Sequence, residues 1–182
     1  MHRTTLVGGI ALVAATLAIA PAHARSQQIN GDAEILSVAQ TVNLGEVTES
    51  KGALDRANSA DVKSFAALMI RDHGKALRQI RQVAHEIGTS GQPSRLSHQL
   101  AMQERNETSQ LDQNTGAAFD EAFMQHEADE HRQVLNIIDS QLIPNAQSDA
   151  VANLLQQMRA TVAHHLQLAQ QLLAQLGGGT GS

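Results

Sequence analysis

Four long stretches of this chain repeat apolar residues three and four positions apart, and each stripe is interrupted near its middle by a carboxylate or an imidazole. The period is that of an α-helix with one face turned to a core. The interruptions constrain the fold further, because these helices must carry polar groups inward along with their apolar side chains. No strand-like alternation competes with the helical period after the amino-terminal segment.

Gly, Pro and capping residues divide the pattern. The spacing predicts helices over about 32–56, 60–87, 94–114, 117–143 and 146–176, the third weaker than the rest. Ser59 is placed to cap the second, Gly88 to stop it, and Pro144-Asn145 to turn the chain into the fifth. The first two helices are joined by a short connection, and so are the last two, which makes each pair an antiparallel hairpin. Between the pairs runs a crossover of about thirty residues that carries the weak helix. The expected fold is therefore all-α: a ferritin-like four-helix bundle of two antiparallel hairpins joined by a long crossover with a shorter fifth helix.

The first 24 residues do not fit that bundle. A basic start (His2, Arg3), an apolar run and Ala22-His23-Ala24 have the layout of a cleavable secretory signal. An uncleaved membrane anchor is the alternative. The expected organisation is a signal peptide over 1–24, a short linker over 25–31, the bundle over 32–176 and a disordered Gly-rich tail over 177–182. The implied location is periplasmic or secreted. No later run is apolar enough to span a membrane once the signal is removed.

Cleavage after Ala24 leaves 158 residues, enough for one domain with a real core. There is no cysteine, so burial alone, or burial with a bound ion, must hold the fold. Tyr and Trp are absent and only Phe65, Phe119 and Phe123 are aromatic, which excludes stacking platforms for bases or sugars. The formal charge of −5 becomes −6 once Arg3 leaves with the signal, the wrong sign for nucleic acid. Arg71, Lys75, Arg78 and Arg81 align on the outer face of their helix, as a solvated face does. "NET" at Asn106 fits a glycosylation acceptor, a pattern short enough to recur by chance. The sequence names no protein partner and is compatible with a homo-oligomer.

At about 100° per residue each helix can be projected onto its faces. In the second, His73 falls in the middle of the apolar stripe and Asp72 at its edge. In the first, Glu46 is centred among Ile35, Ala39, Val42 and Ala53, with Glu49 nearby. In the fourth, His126, Glu127, Glu130 and His131 land on the apolar side. Glu127 and Glu130 are nearest its centre, the two histidines nearer its margins, and Asp129 points to solvent. In the fifth, His165 faces in and His164 out. His85 projects outward, and His98 lies on the weak helix. The inward polar residues lie within about four residues of their helix midpoints, roughly 6 Å, so an up-down bundle sets them side by side.

Buried carboxylates cost several kcal/mol each unless something neutralises them. One solution is a metal ion held by Glu46, His73, Glu127, Glu130, His131 and His165, with Asp72 orienting a ligand. Imidazole and carboxylate donors suit Zn²⁺, Fe, Mn²⁺ or Cu²⁺, and disfavour Cu⁺ unless Met69 or Met158 adds sulfur. The other solution is a closed Glu–His⁺ network in a non-metal envelope scaffold or stress protein. A metal-dependent oxidase or hydrolase ranks third, since no nucleophile motif, phosphate loop or cofactor fingerprint is present.

Three runs carry a resemblance: "LGEVTESKGALDRANSADVKSFAALMIRDH", "GAAFDEAFMQHEADEH" and "HHLQLAQQL". Together they resemble the domain of unknown function 4142, a group of exported bacterial proteins often labelled outer-membrane or ferritin-like. The likeness covers about residues 33–173. Its signature positions fall on Glu46, Asp72-His73, Phe119-Asp120, Glu130-His131 and His165. It implies a ferritin-like bundle in the envelope or outside the cell, and no established activity. Glu130 stands where the family typically has Asp. Di-iron bundles use a Glu-x-x-His pair on each of two helices. Here Glu127 and His131 are four apart, so the pattern is not met.

Overall fold

The computed structural model describes residues 29–178. The expected signal at 1–24, most of the linker and residues 179–182 lie outside the described residues. Five helices follow: α1 (Asp32–Arg56), α2 (Ala60–Glu86), α3 (Arg95–Leu111), α4 (Gly116–Ile137) and α5 (Asp149–Gly178). No strand occurs among the described residues. The α1/α2 and α4/α5 hairpins pack most extensively within themselves, α2 lies against α5, and α3 covers α1 with a lighter contact to α4. This is the all-helical bundle of two hairpins and a crossover that the periodicity predicts.

Caps fix the helix starts. Ser59 Oγ accepts from the amides of Asp61 and Val62 at the head of α2. At α3, the Ser97 amide donates to Ser94 Oγ at 3.1 Å and the Ser94 amide donates to Ser97 Oγ at 2.9 Å, a reciprocal capping box. The fourth helix departs from expectation. Its α-helical part ends at Ile137 and becomes a π-turn, Ile138–Leu142, then a 3₁₀ turn, Ile143–Asn145. Pro144 has no N–H and its ring crowds the carbonyl four residues back, so the α-helix cannot continue through it. The fifth helix starts at Asp149 rather than near 146, because Ser148 Oγ takes the Val151 amide at 3.3 Å. It runs two residues into the expected tail, to Gly178. Ile29, at the end of the linker, is buried in the core.

Each hairpin turn is held by a carboxylate from the other hairpin. Asp120 of α4 accepts from the amides of Asn58 at 2.8 Å and Ser59 at 2.7 Å. Asp32 of α1 accepts from the amides of Gln147 at 2.8 Å and Ser148 at 3.0 Å. Arg56 pairs with Asp112 and donates to Leu111 O at 3.1 Å and Asn114 O at 3.2 Å, tying the end of α1 to the end of α3.

The apolar core has two parts. One contains Ile35, Leu36, Ile80, Ile137, Val151 and Leu155; the other contains Ala53, Phe65, Phe119, Phe123 and Ala169. Along α1, α2, α4 and α5 the residues between the two parts include Glu46, His73, His131 and His165. A polar waist thus separates two apolar ends. Across the bundle axis α2 meets α4 twice, through Phe65 and Phe123 at 6.3 Å between ring centroids and through His73 and His131 at 5.8 Å. Both residues of each helix are eight apart, and that shared spacing sets the aromatic pair and the imidazole pair at separate levels.

Candidate metal centre

His73, His131 and His165 come from three helices and all are buried, each at most 3% exposed. One ring nitrogen from each lies within 4.8 Å of one from each of the others. Every ring is anchored through one nitrogen. His73 Nδ1 is 2.9 Å from Asn43 Oδ1, His131 Nδ1 donates to Glu127 O at 2.8 Å, and His165 Nε2 is 3.2 Å from Asp72 Oδ2. Each contact puts the proton on the anchored nitrogen when its partner accepts. The nitrogens left over, Nε2 of His73, Nε2 of His131 and Nδ1 of His165, are buried and have no hydrogen-bond partner. Buried polar atoms are nearly always satisfied, and three orphaned lone pairs in one place demand a reason.

Electrostatics keeps the trio neutral. Burial pushes His131 down to about 3, with the nearby His165 adding to the effect. Burial, then His131 and His165, hold His73 well below its ordinary value. Burial also lowers His165, against the opposing hydrogen bond and charge of Asp72. Neutral imidazole is the form that binds a metal. Asp72 itself sits below its ordinary value: partial burial raises it, but hydrogen bonds from Arg71 and His165 outweigh that.

Carboxylates flank the trio on one side. Glu46 Oε1 is 3.6 Å and Glu127 Oε2 is 3.4 Å from His131 Nδ1. These three residues form a second triad of potential donors that shares His131 with the first. Both acids are buried. Burial, then neighbouring carboxylates led by Glu127 for Glu46 and by Glu49 for Glu127, raises both well above the usual range. Neither oxygen of Glu127 has a hydrogen-bond partner.

His126 belongs to a different set. Its Nε2 lies 3.0 Å from Glu49 Oε1 and 3.1 Å from Glu130 Oε2. Burial lowers this imidazole, but Glu130 and Glu49 more than reverse that and lift it to about 11. One bundle therefore holds a neutral trio at its axis and an imidazolium beside carboxylates at its edge.

The geometry of the trio suits a divalent ion. Tetrahedral coordination at 2.0–2.1 Å would place ligand atoms roughly 3.3 Å apart, so the rings would have to draw together from separations of up to 4.8 Å. Three histidines would leave a fourth position on such an ion open. A cleft of about 430 Å³ between α2 and α5 reaches Asn43, Asp72 and His73 from the surface.

A family model described as Domain of unknown function (DUF4142) matches residues 18–172. The chain belongs to that family. No curated protein and no solved structure matches it. Within this DUF4142 chain the match covers the first four helices, α5 up to residue 172 and all the residues of the waist.

The six candidates read from the DUF4142 sequence do not form one ring of donors. His73, His131 and His165 meet; Glu46 and Glu127 join them through His131; Glu130 joins neither triad and pairs with His126. The projection put Glu130 near the centre of the α4 face and His131 at its margin. In the structure His131 is 1% exposed and the Glu130 side chain 13%. The reason is α3, which gives α4 a second packing neighbour, so a face that turns from solvent need not turn to the bundle axis. His164, His85 and His98 are exposed, and so are Arg71, Lys75, Arg78 and Arg81, as projected.

Two contributors escape sequence reasoning. Asn43 lies three residues before Glu46 on α1, at a spacing that shares its face, and was hidden by being uncharged. Glu104 lies on the weak α3, whose docking no local pattern reveals.

Proposed function

We propose that this protein is an exported helical bundle that binds a divalent transition-metal ion through His73, His131 and His165. Glu46 and Glu127 lie beside the site and would ionise to balance the charge of a bound ion. Asn43, Asp72 and the Glu127 carbonyl orient the three rings. The supporting observation is the trio itself: three buried, neutral imidazoles, each tethered by one nitrogen, with the other nitrogens unpartnered. Such an all-nitrogen set suits Zn²⁺, Cu²⁺ or Fe²⁺.

A purely structural Glu–His⁺ network accounts for His126, which sits against two acids, but not for the trio, whose burial favours the uncharged form. Periplasmic or secreted placement rests on the signal-like residues 1–24. Elemental analysis of the protein purified from its native compartment tests the metal, with His73→Ala as the control. About one ion or more per chain, reduced in the variant, supports binding. Metal far below one per chain under all loading conditions ends it. Sequencing the mature amino terminus tests export, which expects Arg25 first.

A further inference from the structure

A second constellation lies off the axis, where α3 covers α1 and α4. Glu49 of α1, Glu104 of α3 and His126 of α4 each offer one donor atom, all within 4.8 Å of one another. Glu130 Oε2 adds a fourth at 3.1 Å from His126 Nε2. We propose that Glu49, Glu104 and His126, with Glu130 beside them, form a second cation site, distinct from the imidazole trio, for a divalent ion that accepts mixed carboxylate and imidazole donors, such as Mn²⁺, Fe²⁺ or Zn²⁺.

Three observations carry this. First, Glu49 is 6% exposed, yet its Oε1 has no hydrogen-bond partner, while Oε2 accepts from Thr108 Oγ1 at 3.2 Å. His126 Nε2 is likewise unsatisfied, although Glu49 Oε1 is only 3.0 Å away. Glu49 Oε1, His126 Nε2 and a Glu104 oxygen crowded this closely can turn to ligate one ion.

Second, α1 carries Gly45 in mid-helix, a costly residue there. A Cβ at that position would stand 2.8 Å from Glu104 Cδ and 3.1 Å from its Oε1. The missing side chain makes the space in which the Glu104 carboxyl lies against α1. Third, a void of about 10 Å³ beside the cluster, between α1, α3 and α4, is lined by Glu104, Glu107 and Glu130, but not by Glu49 or His126. That is room for about one water-sized particle.

A single imidazole faces three carboxylates here, with Glu107 close by. Burial and mutual repulsion lift Glu104 to about 8 and raise Glu130 as well, so full ionisation of the cluster is unfavourable without a further cation. A divalent cation would take the place of the His126 proton and let the carboxylates ionise around it.

Zinc stoichiometry tests the proposal. The mature protein is loaded with Zn²⁺, passed over a weak chelating resin, and its ions per chain are counted. Wild type, Glu104→Gln, Gly45→Ala and His73→Ala are compared. The expected result is two ions in wild type and one in each variant. Gly45→Ala is the folding-safe variant, since alanine favours the helix while pushing Glu104 aside; its apoprotein should melt no lower than wild type. Two ions retained by both Glu104→Gln and Gly45→Ala overturn the site. So does a single ion in wild type that disappears in His73→Ala, a result that leaves the trio standing. A single ion that survives His73→Ala and disappears in Glu104→Gln upholds this site and removes the trio instead. No bound ion overturns both.

Discussion

Asp72 Oδ2 stands 3.2 Å from His165 Nε2, and that contact decides which nitrogen of the ring is free. Asp72 is on α2, one residue before His73, so a single turn of helix supplies both a candidate ligand and the group that orients another. Arg71 in turn grips Asp72 with hydrogen bonds of 2.8 and 3.2 Å. Carboxylates that hold a ligating histidine in this way are typically worth about 10–100-fold in metal affinity. Asp72→Ala should weaken Zn²⁺ binding by about that factor in competition with a chelator of known affinity, with little change in the apoprotein's melting temperature. An unchanged affinity would show that Asp72 does not orient the ring for an ion.

Zinc should stabilise the folded chain. With free ion at about 100 times the dissociation constant, binding contributes about 2.7 kcal/mol. For a domain of this size that corresponds to a rise of roughly 5–10 °C in melting temperature. His73→Ala should lose about half of that rise or more, and a chelator should return wild type to the apoprotein value. A melt indifferent to both zinc and chelator would contradict the metal centre.

The apoprotein should have a stability optimum at mildly acid pH. Burial, then the charges of Glu130 and Glu49, lift Glu104 to about 8 from an ordinary 4.5. The folded chain therefore binds more protons than the unfolded chain between those values, and stability falls as pH rises through that window. His131 acts in the opposite sense. Its folded value of about 3 lies below the ordinary 6.5, so stability falls as pH drops from about 6.5 towards 3. Chemical denaturation of metal-free protein from pH 3 to 9 should trace both limbs. Glu104→Gln should make the upper limb shallower, leaving the part that His126, lifted to about 11, contributes above about pH 6.5, and should leave the lower limb unchanged; an identical upper limb would show that Glu104 titrates normally.

Asp120 should matter for folding and not for metal. Its carboxylate is 1% exposed and accepts two amides at the α1–α2 turn. Removing it leaves those donors without their partner, at a cost of about 2–4 kcal/mol. Asp120→Ala should lower the denaturation midpoint accordingly while the ion count per chain stays at the wild-type value. A loss of ions from the folded variant would tie this turn to the site.

Much of the architecture was legible in the chain because helix formation and facing are local. A residue's direction follows from its position at about 100° per step, so His73 and His165 could be placed inward and His164 and His85 outward without coordinates. The two hairpins followed from short connections, and Ser59 from cap chemistry. Where local reasoning met a proline it overran: α4 was carried to 143, whereas the structure gives up its α-helical turn at 138 to accommodate Pro144.

The sequence by itself thus determined an all-helical bundle with acids and imidazoles at a common level. Only the tertiary structure sorted them, with His73, His131 and His165 at the axis and His126 with Glu49, Glu104 and Glu130 beneath α3. Periodicity says that a side chain turns away from water, but not which neighbour it turns toward. That depends on the rotation and axial offset of each helix against the others, and on the docking of α3, which are set by contacts between residues far apart in the chain.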